Sequence, residues 1–227
     1  MELAIDTSTE TAYLVLSSQG EVLAEIAWHA GQNHTVELMP NLVQLLHRNG
    51  SSLQYMGGII VARGPGSFNG LRVGMSVAKG IAMALKIPLV GVSTLEVEAL
   101  PHAATGLPIC PILNAGRGEV ATALFQTKKG KWRRLVEEHI TSFNGLISGI
   151  EERTVFCGEI PEEATAQIRD RLGDKAVFVE EISALRRAQS LAELGWRRLE
   201  TGDYDHPPTL QPLYLRRPSI TISHRRR

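Results

Sequence analysis

The residues best suited to chemistry sit in three turns. Asp6 ends a short apolar run, Glu2–Asp6, and is followed by Thr7, Ser8 and Thr9. An acid at a strand end with hydroxyls beyond it can hold a divalent cation or a phosphate; the same groups can simply close a tight hairpin turn. Thr7 stands where close backbone approach to a phosphate would call for glycine. The second turn, Gly64-Pro65-Gly66-Ser67-Phe68-Asn69-Gly70, lies between a strand-like and a helix-like run, where free N–H groups can cradle an anion. Its glycines fall at 64, 66 and 70, which matches neither a Walker A loop nor GxGxxG. Asp6, Ser8, Gly64, Gly66 and Ser67 are therefore the candidate nucleotide or anion site. In the third turn, Asn114 to Glu119, Asn114 lacks the charge of a metal ligand and Glu119 is the one acid able to replace it, so no carboxylate pair is assigned.

Other chemistries find less support. The histidines at 29, 34, 47, 102, 139, 206 and 224 form no HxxxH and no Cys/His cluster, and Leu38 stands four residues after His34. Ser67 and His34 are conceivable hydrolase partners, but no GxSxG elbow supports them. No catalytic residue and no metal ligand is assigned.

The elements that must position these turns follow from periodicity. Gly58 to Ala62 reads as a buried strand, Gly70 to Leu85 as a helix stopped before Pro88, and Leu89 to Val92 as a second strand, together a βαβ crossover. Upstream, Glu2–Asp6, Ala12–Ser17 and Val22–Trp28 read as strands and His34–His47 as a helix, with Pro40 expected near its first turn or else to kink it. Thr94–Ala104 reads as a further helix. After Pro108 the same β-β-β-α-β-α-β-α order returns. Its strands are Ile109–Leu113, Glu119–Phe125, Trp132–Glu138, Thr154–Cys157 and Ala176–Val179; its helices are Thr141–Ile150, Glu162–Leu172 and Ser183–Glu200. Two such passes indicate a duplicated α/β lobe, residues 1–105 and 106–227, with 183–227 able to pack back on the first.

The helix from Gly70 carries two stripes. Val73, Val77, Ile81 and Leu85 form a bulky face; Gly70, Gly74, Ala78 and Ala82 form a face almost without side chains. Interior glycines cost a helix about 1 kcal/mol each relative to alanine. Close approach by another helix would compensate, either within the chain or from another subunit; both readings stand at this point.

Composition bounds the rest. The chain has 227 residues, 43% apolar and 21% charged, with no net charge at pH 7, so nothing global points to nucleic acid or a membrane. Residues 1–105 carry five Lys/Arg and eight Asp/Glu, and residues 106–227 carry 19 and 16. Five arginines fall in the last twelve residues, a tail that is either solvated or touches phosphate. No apolar run reaches the ~18–20 residues of a membrane span, and the start is unlike a signal peptide. Cys110 and Cys157 fit buried free thiols. A cytoplasmic protein is expected.

Taken together, the motifs resemble a known family. The turn after Asp6 is similar to the first phosphate loop of actin-like ATPases and sugar kinases. Ala4-Ile5-Asp6-Thr7-Ser8-Thr9, His34 through Pro40, and above all Arg63-Gly64-Pro65-Gly66-Ser67-Phe68-Asn69-Gly70-Leu71-Arg72 resemble the TsaB (YeaZ) family, whose motif usually reads GRGPGSFTGLR. Gly91-Val92-Ser93-Thr94-Leu95, Gly118-Glu119-Val120 and Pro212-Leu213-Tyr214-Leu215-Arg216 continue the likeness. The resemblance implies an actin-like fold of two RNase H-like lobes. It also implies a non-catalytic scaffold that pairs with a metal- and ATP-binding TsaD-like paralogue, beside a TsaE-like ATPase. That complex transfers threonylcarbamoyl to the adenosine next to the anticodon of tRNA. It further implies a vestigial nucleotide site, no tightly bound cofactor, ATP only at the partner or complex interface, and self-association as a homodimer when alone. The partner contact carries over to His34, Met39, Leu42 and Leu46 on the first helix and to Gly70, Arg72, Gly74, Ala78 and Ala82 on the second. Asn69 replaces the usual Thr, and Asn114-Ala115-Gly116 the usual Asp-Ala-Arg. The alternative from the residues themselves is an independent actin-like ATPase or small-molecule kinase; a metallopeptidase is a third, weaker reading.

Overall fold

The computed structural model describes residues 1–179 and 183–216. The first lobe runs β1 (Glu2–Asp6), β2 (Thr11–Ser18), β3 (Glu21–His29), α1 (His34–Arg48), β4 (Gly58–Gly64), α2 (Phe68–Leu85), β5 (Leu89–Ser93) and α3 (Thr94–Ala99). Its sheet has the order β3-β2-β1-β4-β5, antiparallel on the hairpin side and parallel from β1 to β5. The second lobe contains β6 (Ile109–Gly116), β7 (Glu119–Lys128), β8 (Lys131–Ser142), α4 (Phe143–Ser148), β9 (Thr154–Gly158), α5 (Glu162–Leu172) and β10 (Ala176–Phe178). Its order, β10-β9-β6-β7-β8, repeats the first with the same parallel and antiparallel pairings. α6 (Ala184–Glu200) then returns to the first sheet and packs across it.

That return explains the unbroken apolar runs of β1, β2 and β4. Alternate residues of a strand face opposite sides, and here both sides are covered. Leu3, Ile5, Leu14 and Leu16 pack with Leu38, Leu42 and Leu45 of α1 and Met75 and Ala78 of α2. Ala4, Val15 and Ile60 pack with Ala188, Leu191 and Ala192 of α6. A sheet buried on both faces has no room for polar alternation.

The small stripe of α2 belongs to this interior. A Cβ at Gly70 would overlap the Thr7 carbonyl oxygen, and one at Gly74 would overlap Thr7 Oγ1, which itself donates to the Gly70 carbonyl at 2.7 Å. Ala78 and Ala82 lie in the core between α2 and the sheet. Close approach is real, but it is to β1 of the same chain. The placement of Gly70, Gly74, Ala78 and Ala82 on a docking face is corrected, as is that of His34, Leu42 and Leu46, which are also buried.

Boundaries shift where single residues intervene. The helix expected over 94–104 ends at Ala99 and continues as a 3-10 turn, Leu100–Thr105. Pro101 has no N–H to donate and its ring crowds the carbonyl one turn back. β8 runs on to Ser142, whose hydroxyl accepts from the Gly145 N–H, so α4 begins only at Phe143. Pro40 sits in the second turn of α1, not the first, on its exposed side.

Beyond α6 the chain crosses the first lobe. Asp205 bonds to Leu89, Lys79 Nζ donates to the carbonyls of Pro208 and Leu210 at 3.4 and 3.0 Å, and Leu213 N donates to Arg63 O at 2.7 Å. The residues of the basic tail from Arg217 onward lie outside those described, so that tail's contact with phosphate receives no structural account. Both cysteines are free and buried; burial pushes the Cys110 thiol up to about 12 and the Cys157 thiol higher still. Among the described residues no helix is long and apolar enough to cross a membrane.

Candidate functional site

Asp6 is fully buried at the end of β1. Its Oδ1 accepts from Ser8 N at 2.8 Å and from Ser8 Oγ at 2.6 Å, so the turn closes on its own acid. Its Oδ2 accepts from Arg187 Nε of α6 at 3.0 Å, and Arg187 Nη2 donates to Ser8 Oγ at 3.3 Å. The remaining arm of the guanidinium forms an ion pair with Glu98 of α3, and its carbon lies 5.7 Å from the centre of the Tyr13 ring. Three charges from three elements are thus joined in the interior, each less than a tenth exposed. Buried charges persist only when paired and hydrogen-bonded.

The glycine-rich turn rests directly on this group. Ser67 N donates to Ser8 O at 2.7 Å, and a Cβ at Gly66 would overlap the same carbonyl. Ser67 Oγ accepts from Gly70 N at 3.2 Å, capping α2. Asp6, Ser8, Gly66 and Ser67 therefore do come together, but they bond to one another. Gly64 is set apart, against Leu71 and the Leu213 carbonyl. Of the N–H groups in this turn, that of Ser67 is taken by the Ser8 carbonyl and that of Gly70 by Ser67 Oγ, so neither is left for an anion.

The third turn is closed in the same manner. Asn114 Oδ1 accepts from Gly116 N at 2.8 Å. Glu119 is ion-paired with Arg216, which also donates to the Ala115 carbonyl at 3.2 Å. In each lobe, then, the acid that the sequence offers as a cation ligand is held by an arginine arriving from the C-terminal part of the chain. A divalent cation at Asp6 would have the Arg187 guanidinium as its neighbour, and the residues present do not fit a metal-bound nucleotide. The cleft beside it, about 420 Å³, is lined by Glu10, Glu98 and Glu159 with Arg187 and His29, an acidic wall that repels polyphosphate. Among the described residues no group of three His, Cys, Asp or Glu is placed to hold a metal ion.

Sequence reasoning missed Arg187 and Glu98. The available signal was a charge on an apolar stripe: Arg187 falls on the face of α6 that carries Ala188, Leu191 and Ala192, and Glu98 lies between the buried Val97 and Ala99.

His34, at the start of α1, and His102 are buried nearby, and burial is the main reason that each pKa lies below the ordinary histidine value. The unfolded chain therefore binds protons that the fold excludes. Stability is full above the unfolded value of about 6.5 and is lost as pH falls through it toward the lowered values. Thermal melts at pH 7.5 and 5.5 should show a lower midpoint in acid, with a smaller difference in His102→Gln. An equal difference in that variant would remove His102 from the account.

The exposed surface of the two first-lobe helices differs from their buried stripes. α1 presents Val36, Met39 and Val43 outward at 68%, 43% and 61% exposure, an apolar row at i, i+3, i+7. α2 presents Arg72, stacked 4.8 Å over the Phe68 ring, then Ser76, Gly80 and Ala84 at every fourth position, with Met83 beside them. A Cβ at Gly80 would meet nothing within 4 Å.

A family model described as TsaD, tRNA N6-adenosine threonylcarbamoyltransferase, matches residues 21–223. A tRNA threonylcarbamoyladenosine biosynthesis protein TsaB of Bacillus subtilis is 34% identical over 94% of this chain and 93% of its own. The chain belongs to the TsaB family. The TsaB protein of Escherichia coli is 32% identical over 73% of this chain and 66% of its own. The solved structure of YeaZ from Pseudomonas aeruginosa superposes with a TM-score of 0.77 over 94% of this chain and 99% of that one, at 24% identity, and shares the fold. Within this TsaB chain Met39 and Arg72 are the members of the expected contact set that reach the surface.

Proposed function

We propose that the chain is a non-catalytic partner subunit in tRNA threonylcarbamoyladenosine synthesis, binding a TsaD-like paralogue and leaving the transfer chemistry to it. The observation that carries this reading is the ion pair between Arg187 and Asp6. Arg187 pairs with Asp6, the acid that a cation would otherwise need, and with Glu98, so the fold keeps its shape without a nucleotide. Family membership supplies the pathway, since its relatives are named for the biosynthesis of threonylcarbamoyladenosine in tRNA. ATP belongs to the partner or to the joint interface, where a TsaE-like ATPase and tRNA would also gather. The setting is the cytoplasm.

The docking face consists of the outward rows of α1 and α2, which lie on the same side of the first lobe because both helices share one core. Val36, Met39 and Val43 supply apolar area, and Ser76, Gly80 and Ala84 let a partner helix approach closely. Alone, the chain covers this face with a second copy of itself. Size exclusion with light scattering should give a stable one-to-one species with the host's TsaD-like protein, and Met39→Glu should abolish it without changing the melting point. Separate elution even with the TsaE-like ATPase, ATP and tRNA present would refute the pairing.

A further inference from the structure

A second cavity lies away from the Asp6 group, where the edge of the first sheet at β5 meets α6 and the β7–β8 hairpin. It measures about 650 Å³, and its wall carries Arg63, Lys131, Arg134, Arg197 and Arg198 against two acids, Glu96 and Asp205. Both acids are committed. Glu96 accepts from Trp132 Nε1 at 3.0 Å and from Arg134 Nη2 at 3.3 Å. Asp205 accepts from Gly91 N at 2.8 Å and pairs with Arg198 at 3.1 Å, while Arg198 also donates to Gly91 O at 2.8 Å. These contacts anchor two of the arginines and balance the two acids, and Arg197 pairs with Glu193 along the exposed side of α6.

Two cations remain. The side chains of Arg63 and Lys131 have no hydrogen bond or ion pair with any described residue. Arg63 belongs to the glycine-rich motif, yet its side chain runs past Gly91 into this cavity rather than toward Asp6. The same wall holds Ser93, 2% exposed, whose Oγ has no hydrogen-bond partner. A buried hydroxyl left unbonded is costly and uncommon in folded proteins. An unpaired guanidinium, an unpaired ammonium and an orphaned hydroxyl donor around one cavity have a shared complement, an oxyanion with several acceptor atoms.

The geometry points to a binding site for a phosphate group, held by Arg63, Lys131 and Ser93. The phosphate comes either from a small nucleotide-sized monoester or from an RNA backbone. The site stands on the cavity's own chemistry and does not depend on pairing with a TsaD-like partner, so either reading can fail without the other.

The test titrates the full chain with inorganic phosphate, AMP and a short single-stranded RNA while the Trp132 indole N–H is followed by NMR. The expected result is a saturable shift that Arg63→Gln and Lys131→Gln each weaken about tenfold, the loss of one charge-assisted hydrogen bond. Arg153→Gln, an exposed charge elsewhere, should leave it unchanged. Ser93→Ala should weaken binding while the free protein melts no lower, since only an unbonded hydroxyl is removed. Variant-sensitive binding of AMP identifies a nucleotide as the source, and variant-sensitive binding of the RNA identifies a backbone phosphate. Absence of any saturable shift, or shifts that survive both charge removals, overturns the proposal.

Discussion

Replacing Arg187 with leucine should destabilise the fold by about 3–5 kcal/mol at neutral pH, because it strands Asp6 and Glu98 as buried carboxylates without a counter-charge. For a chain of this size that corresponds to a melting midpoint lower by roughly 6–20 °C. The deficit should shrink in acid. Without the guanidinium the two buried carboxylates have no counter-charge, and acid removes that unpaired charge by protonation, so the loss relative to the parent narrows as pH falls. Neutralising the acids as well, in Arg187→Leu/Asp6→Asn/Glu98→Gln, should recover most of the loss at neutral pH, since the side-chain amide introduced on β1 keeps an oxygen that can accept from Ser8. Thermal melts of the single and triple variants between pH 5 and 8 give both quantities. A single variant that melts like the parent would mean that the ion pairs do not hold α3 and α6 to β1. The same variants address function: removing the guanidinium in Arg187→Leu frees Asp6 but supplies no cation ligand set, and ATP–Mg binding should not appear.

Much of this fold could be read from the sequence because its signals are local. Strand runs such as ELAID and GIIVA, the stop before Pro88, and the repeated order of elements depend on neighbours within a few residues. What escaped depends on partners far along the chain. Periodicity marked Gly70, Gly74, Ala78 and Ala82 as a face needing close approach, and it is one; nothing local says that the approaching backbone is Thr7, more than sixty residues away. The same holds for Asp6, whose partner Arg187 is 181 residues distant. Asp6, Ser8, Gly66 and Ser67 stand out by the chemistry of their turns and do meet, but nothing local shows that Asp6 is held by Arg187, which no motif includes.

The distinction between the two small stripes of α2 leads to a paired result. Gly74→Leu should fail as a protein. Its side chain would have to displace Thr7, whose hydroxyl holds the Gly70 carbonyl, and overpacking together with that lost buried bond costs about 3 kcal/mol or more. Gly80→Leu should do the opposite. Its Cβ meets only open space, and leucine in place of glycine in an exposed helix interior gains roughly 0.5–1 kcal/mol, so the isolated chain should melt slightly higher. Placed in the outward row between Ser76 and Ala84, however, the new side chain stands where a partner helix would lie, and co-elution with the TsaD-like protein should be lost. Circular dichroism melts and size exclusion on both variants separate these effects. A stable Gly80→Leu that still pairs would move the contact off α2 and leave the Val36, Met39 and Val43 row of α1 to carry it. A folded Gly74→Leu would mean that β1 and α2 can separate, and the close packing on Thr7 would no longer explain why this helix tolerates glycine in its interior.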